Sequence, residues 1–132
     1  MSLTLNAEII TPTSHFDLGK VDYLRLPGDE GLFGIKKNHA ASLISLDVGE
    51  VKIVKNGQTE YWSTSGGILD LRNNNAQLLL ETVEKSSEID LDRATASVER
   101  AQKRLKDKTL NQARVQISLT KALNRLKVAK RS

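Results

Sequence analysis

At 132 residues the chain is one ordinary domain, or one small domain with an appendage, and its core cannot be large. It has no cysteine, which excludes disulfide staples, thiolate metal ligands and thiol nucleophiles, and fits a reducing compartment. The net charge of +4 is divided. Residues 1–99 hold 9 Lys/Arg against 15 Asp/Glu, a net of −6, whereas residues 100–132 hold 11 Lys/Arg against Asp107 alone, a net of +10. An acidic body with a basic arm is expected to meet different partners through its two ends.

The opening "MSLTLNAEII" lacks the basic stretch and apolar run of a secretory signal. No segment approaches the roughly 18 consecutive apolar residues of a membrane span. The sequence therefore predicts a soluble, intracellular chain that reaches a membrane only through a partner. In "LTLNAEII", Leu3, Leu5, Ala7 and Ile9 alternate with polar neighbours until Ile10, which predicts a strand. "VDYLRL" sets Val21, Tyr23 and Arg25 on one face of a second strand, with Asp22, Leu24 and Leu26 on the other. "PGDEG" at 27–31 is a turn.

Gly28, Gly31 and Gly34 make G-x-x-G-x-x-G, which is neither a dinucleotide fingerprint nor a phosphate-binding loop, since no Lys-Ser/Thr and no helix follow. They are expected in tight turns between strands. "VKIVKNGQTEYWS" places two β-prone runs around Asn56-Gly57, the pair that suits a type I′ hairpin turn. "SGG" at 65–67 and Asn73–Asn75 before "AQLLLETV" are further turns. Short strands at this spacing predict a β-sandwich or barrel.

From Glu88 the period changes. Leu91, Ala94, Val98, Ala101 and Leu105 step by 3, 4, 3 and 4, one apolar stripe of a helix, with Asp90 as its N-cap. After "KDKT", Thr109 and Gln112 have capping-box spacing for a second helix, whose stripe is Val115, Leu119, Ala122, Leu126 and Ala129. The two helices predict an antiparallel hairpin. Its alanine-rich seam is marginal and suits an element that opens.

No active site is visible. His15 and His39 lie 24 residues apart without ligand spacing, the serines of "STSG" have no positioned base, and Asp70 and Glu81 fit a solvated strand face. The basic arm says more. Arg93 and Arg100 are two helical turns apart and share a face, as do Lys121 and Arg125 at i and i+4. With the turn near residue 108, Arg93 is level with about residue 123, so both cationic faces are expected at one end of the hairpin. Close cations repel unless an anion sits among them. A triphosphate or an acidic protein surface would serve, and four solvated side chains are the alternative. Nucleic acid is a weaker reading, because Phe16, Tyr23, Phe33, Tyr61 and Trp62 all lie in the acidic half, leaving no aromatic on the arm to stack on bases.

"LTLNAEIITP", "LPGDEGLFGIKKNHAASLISLDVGEVKI", "SGGILDLRNNNAQLLLETVEKSSEID" and "IDLDRA" together resemble the epsilon subunit of F-type ATP synthases over nearly the whole chain. The resemblance implies a β-sandwich over 1–86 and a two-helix regulatory domain over 87–132. It implies a non-catalytic subunit of the central stalk, with the sandwich on the gamma subunit and the ring of c subunits. The mobile hairpin would reach acidic elements of the beta subunits in the catalytic alpha/beta hexamer and block ATP hydrolysis, with Arg114, Lys121, Arg125 and Lys127 as basic contacts. Nucleic acid is not an implied partner. The implied location is peripheral, on the cytoplasmic face of a bacterial inner membrane or the stromal face of a thylakoid.

Some members of that family bind ATP in the folded hairpin through I/L-D-x-x-R-A, matched here by Ile89, Asp90, Arg93 and Ala94. Glu84, Arg100 and Arg125 match the same site, and Lys121 stands where an arginine is expected, keeping the charge without the bidentate fork. No cofactor is required on this reading, and ATP is a regulatory ligand. Two departures from the family are the lysines of "IKKNHA" and a connection between the helices about two residues shorter, which would shift the register of the second helix.

Overall fold

The computed structural model describes residues 4–132. Leu3 lies outside the described residues. Ten strands come first: β1 (Leu5–Ile10), β2 (His15–Val21), β3 (Tyr23–Gly28), β4 (Gly31–Ile35), β5 (Ser42–Leu46), β6 (Gly49–Lys55), β7 (Gln58–Thr64), β8 (Gly67–Arg72), β9 (Asn75–Leu80) and β10 (Val83–Lys85). A single 3₁₀ turn, Ser86–Glu88, leads to helices α1 (Leu91–Leu105) and α2 (Gln112–Ala129). The strands form a β-sandwich with the order β10-β7-β6-β3-β5-β8-β9-β1-β2, and β4 also pairs with β3. The two layers are joined by one bridging pair, Gly28 with Leu46.

Inward-facing side chains alternate as expected. Leu5, Ala7 and Ile9 of β1 are buried against Leu24, Leu26, Ile53, Leu69 and Leu78 from other strands. Phe16 of one layer meets Trp62 of the other edge-on, with centroids 5.2 Å apart. Asn56 and Gly57 have φ of 53° and 74°, so both centres of the β6–β7 turn are left-handed, as the I′ turn requires. Asn73 and Asn74 (φ 49° and 59°) close β8–β9 in the same way, since asparagine tolerates that region.

Three expectations need correction here. "VDYLRL" is not one strand: the chain bends at Asp22, whose amide donates to the Val54 carbonyl. Val21, Leu24 and Leu26 therefore all reach the core, from two different strands. Gly34 is not in a turn but inside β4, where a Cβ would run into the Tyr23 ring. The glycine keeps that approach open, a use of glycine that spacing alone does not reveal.

The third correction concerns the start of α2. Thr109 donates its hydroxyl and its amide to the Asp107 carboxylate, and Asn111 caps the helix by accepting from the Arg114 amide. A tight turn around Asp107 satisfies Thr109 locally, so the helix begins two residues later than its capping-box spacing implied. The first helix starts as expected, with Asp90 accepting from the Arg93 amide at 3.0 Å. Its stripe is trimmed at one end. Leu91 is exposed, because Ile89 before the cap packs with Ala94 in its place, a hydrophobic staple.

Between the helices Val98 and Ala101 pack on Leu119, with Leu105, Ala122 and Leu126 around them. Val115 is buried as well.

Candidate functional site

The alternation of β6 and β7 sends Val51, Ile53 and Trp62 into the sandwich and leaves Glu50 and Ser63 on the outer face. Register then brings residues together that the sequence keeps apart. Glu50 pairs with Ser63, and Ser63 with Glu84 of β10, so the three form one row across three strands. Two carboxylates flank a hydroxyl on an open sheet face.

The last turns of α2 cover this row. Arg125 holds Glu84 through two bonds, Nε to Oε1 at 2.7 Å and Nη2 to Oε2 at 3.1 Å. The Asn124 amide donates to the Gly49 carbonyl at 2.8 Å and to Ser63 Oγ at 3.1 Å. Arg131 grips Glu50 with a second fork, at 3.0 and 3.1 Å, and lies 4.5 Å from the centre of the Tyr61 ring. The Glu50 bonds raise the Arg131 guanidinium above its usual pKa. Beneath these contacts Ile89, Ala94, Val128 and Ala129 form a small apolar cluster, with Tyr61 and Leu126 at its edge.

The residues singled out from the sequence fall into two groups. Glu84 and Arg125 meet in the seam, and Ile89 and Ala94 are buried beside it. Asp90 serves as the cap, and the Arg93 guanidinium stands 4.0 Å from its carboxylate, largely in solvent. Arg100 donates to Ser97 Oγ on the exposed side of α1, and Lys121, Arg114 and Lys127 are exposed on α2.

Sequence reasoning missed Glu50, Tyr61, Asn124, Val128 and Arg131. The signal available was Glu50 itself, an acidic residue leading the strongly β-prone run "EVKIV". Its burial depends on a helix that begins about sixty residues later, so no local pattern reveals it.

The outer face of the other layer carries a hollow of about 480 Å³ lined by Glu8, Asp17, Asp70, Arg72 and Gln77 among others. Its charged groups already have partners, Asp17 accepting from the Gly19 amide. His15 and Gln77 bond to Glu8 and hold its carboxyl below the usual range, and Asp70 and Arg72 form a bidentate pair. Among the described residues no group of three or more His, Asp or Glu side chains could hold a metal ion. Among the same residues no helix is long and apolar enough to cross a membrane.

Residues 4–86 match the family model described as ATP synthase, Delta/Epsilon chain, beta-sandwich domain, and residues 87–130 match its long alpha-helix domain. An ATP synthase epsilon chain from Nitratidesulfovibrio vulgaris is 37% identical over 131 residues, covering 97% of both chains. The chain belongs to the ATP synthase epsilon chain family. A second relative so named, from Desulfitobacterium hafniense, is 32% identical and covers 98% of this chain and 99% of its own length. Members of the epsilon chain family are non-catalytic subunits of the synthase, in keeping with a seam built for docking rather than for turnover. The fold also matches a chain in the mitochondrial ATP synthase of Euglena gracilis, solved with its OSCP, F1 and c-ring (TM-score 0.85, 16% identity, 98% of this chain and 83% of that one).

Proposed function

We propose that this epsilon chain turns with the central stalk of a rotary ATP synthase, its sandwich (residues 1–86) seated on the gamma subunit and the c-ring. Residues 87–132 act as a regulatory arm. Docked, as in this structure, the arm leaves the catalytic hexamer free. Extended, it offers Arg114, Lys121, Arg125 and Lys127 to acidic elements of that hexamer and slows ATP hydrolysis. The complex places the chain peripherally on the cytoplasmic face of a bacterial inner membrane, or on the stromal face of a thylakoid.

The observation that carries this reading is the seam. The arm is held to the acidic body by two arginine forks and one amide over a small apolar patch, contacts that water or another acidic surface can replace. ATP favours the docked form on this reading. Glu84, Ile89, Asp90, Ala94 and Arg125 lie at or beside the seam, and Arg93, Arg100 and Lys121 are exposed cations on the same hairpin. A ligand shifts such an equilibrium only by its differential affinity for the two states.

The test is reconstitution with gamma and the catalytic hexamer. The full chain should co-purify with gamma and slow ATP hydrolysis, and Arg114→Ala, Lys121→Ala and Lys127→Ala together should relieve the slowing. An absence of affinity for gamma would end the proposal. Calorimetric titration of ATP into the full chain should show binding that Arg93→Ala and Arg100→Ala each abolish. No binding up to about millimolar ATP, near −4 kcal/mol, would leave Asp90 as a cap and remove ATP as the regulator.

A further inference from the structure

Glu50 is the single charged side chain among the described residues that is buried, at 4% exposure, and two arginines claim it. Arg131, from the end of α2, holds both carboxylate oxygens. Arg25, from β3, contributes one bond of 3.2 Å from Nη2 to Oε1, the oxygen that also accepts from Arg131 Nη2. The Nε of Arg25 is buried and has no hydrogen-bond partner among the described residues. One buried Arg25 donor is thus unused in the docked form.

The arginines differ in what they are attached to. Arg25 belongs to a central strand and stays wherever the sandwich goes, since β3 pairs with β4, β5 and β6. Arg131 leaves with the arm. Lifting α2 uncovers Glu50 on the outer sheet face, where water and Arg25 together replace the bonds that Arg131 withdraws.

We infer that Glu50 is an ion-pair exchange point: Arg131 forks it when α2 is docked, and Arg25 takes both oxygens when α2 lifts. The exchange keeps the Glu50 charge paired in both states. Docking strength then reflects the difference between two ion pairs, not the whole of one, and the arm comes off reversibly. This rests on the proposed mobility of the arm and adds the device that makes it reversible.

Trypsin cleavage after Arg125 in the full chain, read by mass spectrometry, measures the exchange. The Arg125 side chain is held by Glu84 inside the seam, so cleavage needs α2 to lift. Where lifting is fast relative to cleavage, the rate follows the lifted population. Arg131→Ala should speed that cleavage about five-fold, as expected for a partly exposed charged pair. Arg25→Ala should slow it by a similar factor, because the lifted form loses its counter-ion. Cleavage after Arg72, in the sandwich, reports global opening and corrects for any loss of fold.

If Arg25→Ala does not fold, Arg25→Lys, which keeps the charge without the fork, should slow cleavage less but in the same direction. Unchanged or faster cleavage in the Arg25 variants, after the Arg72 correction, overturns the exchange. No cleavage after Arg125 in any variant overturns the mobility of the isolated arm with it. Gamma and the hexamer are absent from this experiment, so loss of the exchange alone leaves the rotor assignment to its own test.

Discussion

The sandwich and the hairpin seam bury their surfaces by different chemistry. Inside the sandwich the fully buried side chains are Leu5, Ile9, Leu24, Leu26, Ile35, Ile53, Leu69, Leu71 and Leu78, with Val21 and Val51, and they interlock across two layers. In the seam the buried apolar residues are Ala94, Ala129, Val128 and Ile89, and directional polar contacts surround them. Each methylene removed from water contributes about 0.8 kcal/mol, so an alanine-lined contact gains much less from water than a leucine-lined one of the same outline. Forks and amides return most of their bonds to water when broken. One region is built to persist; the other, on the proposed function, parts and re-forms.

The largest expected effect lies on the persistent side. Leu78→Ala, at a fully buried position on β9, should cost about 2–5 kcal/mol and lower the denaturation midpoint of the whole chain. Val128→Ala removes two methyl groups from the other side and should cost about 2 kcal/mol of docking. Its effect should appear as faster hydrogen exchange in α2, with the sandwich amides unchanged. A parallel loss of protection in β6 and β7 would show that the two regions unfold as one unit and would break the comparison.

A smaller change separates the hairpin from its dock. Asp90→Ala removes the cap of α1 and should cost about 1 kcal/mol of helix stability, visible as fraying of the Arg93 amide. The seam contacts of α2 do not depend on that cap, so protection around Asn124–Ala129 should hold. If it falls as well, α1 and α2 dock as one body.

The same contrast explains what could be read from the chain. The alternation of β1, the Asn-Gly turn and the 3-and-4 stepping of α2 are local signals, and each stands in the structure where it was expected. Local signals misled where a neighbour in space intervened. Asp22 breaks a run that alternates well because its amide is drawn to Val54, and Asp107 captures Thr109 before it can cap α2. The seam was less legible still. Resemblance pointed to Glu84 and Arg125, but Glu50 with Arg131 spans 81 positions, and nothing in either segment marks the pairing. Which face of a sheet a distant helix covers is a tertiary fact, and sequence periodicity carries no term for it.

The smallest effect tests the turn that sets where α2 begins. The Asp107 carboxyl lies below the usual aspartate range because the Thr109 hydroxyl and then the Thr109 amide bond to its charged form. A carboxyl depressed by folding stabilises the folded turn above its ordinary pKa of about 3.9, and that contribution is lost as the pH falls through the lower, folded value. Carboxyl carbon shifts followed by NMR should therefore place the Asp107 midpoint below that of an unstructured aspartate. Thr109→Val removes the hydroxyl and keeps the amide, so the midpoint should move part of the way back. The depression would then be shared between side chain and backbone, and the later start of α2 would follow from a turn that Asp107 organises. A midpoint unmoved by Thr109→Val would assign the whole shift to the backbone amide. Thr109 would then be free to cap, and the position of Asn111 alone would have to explain why the helix waits.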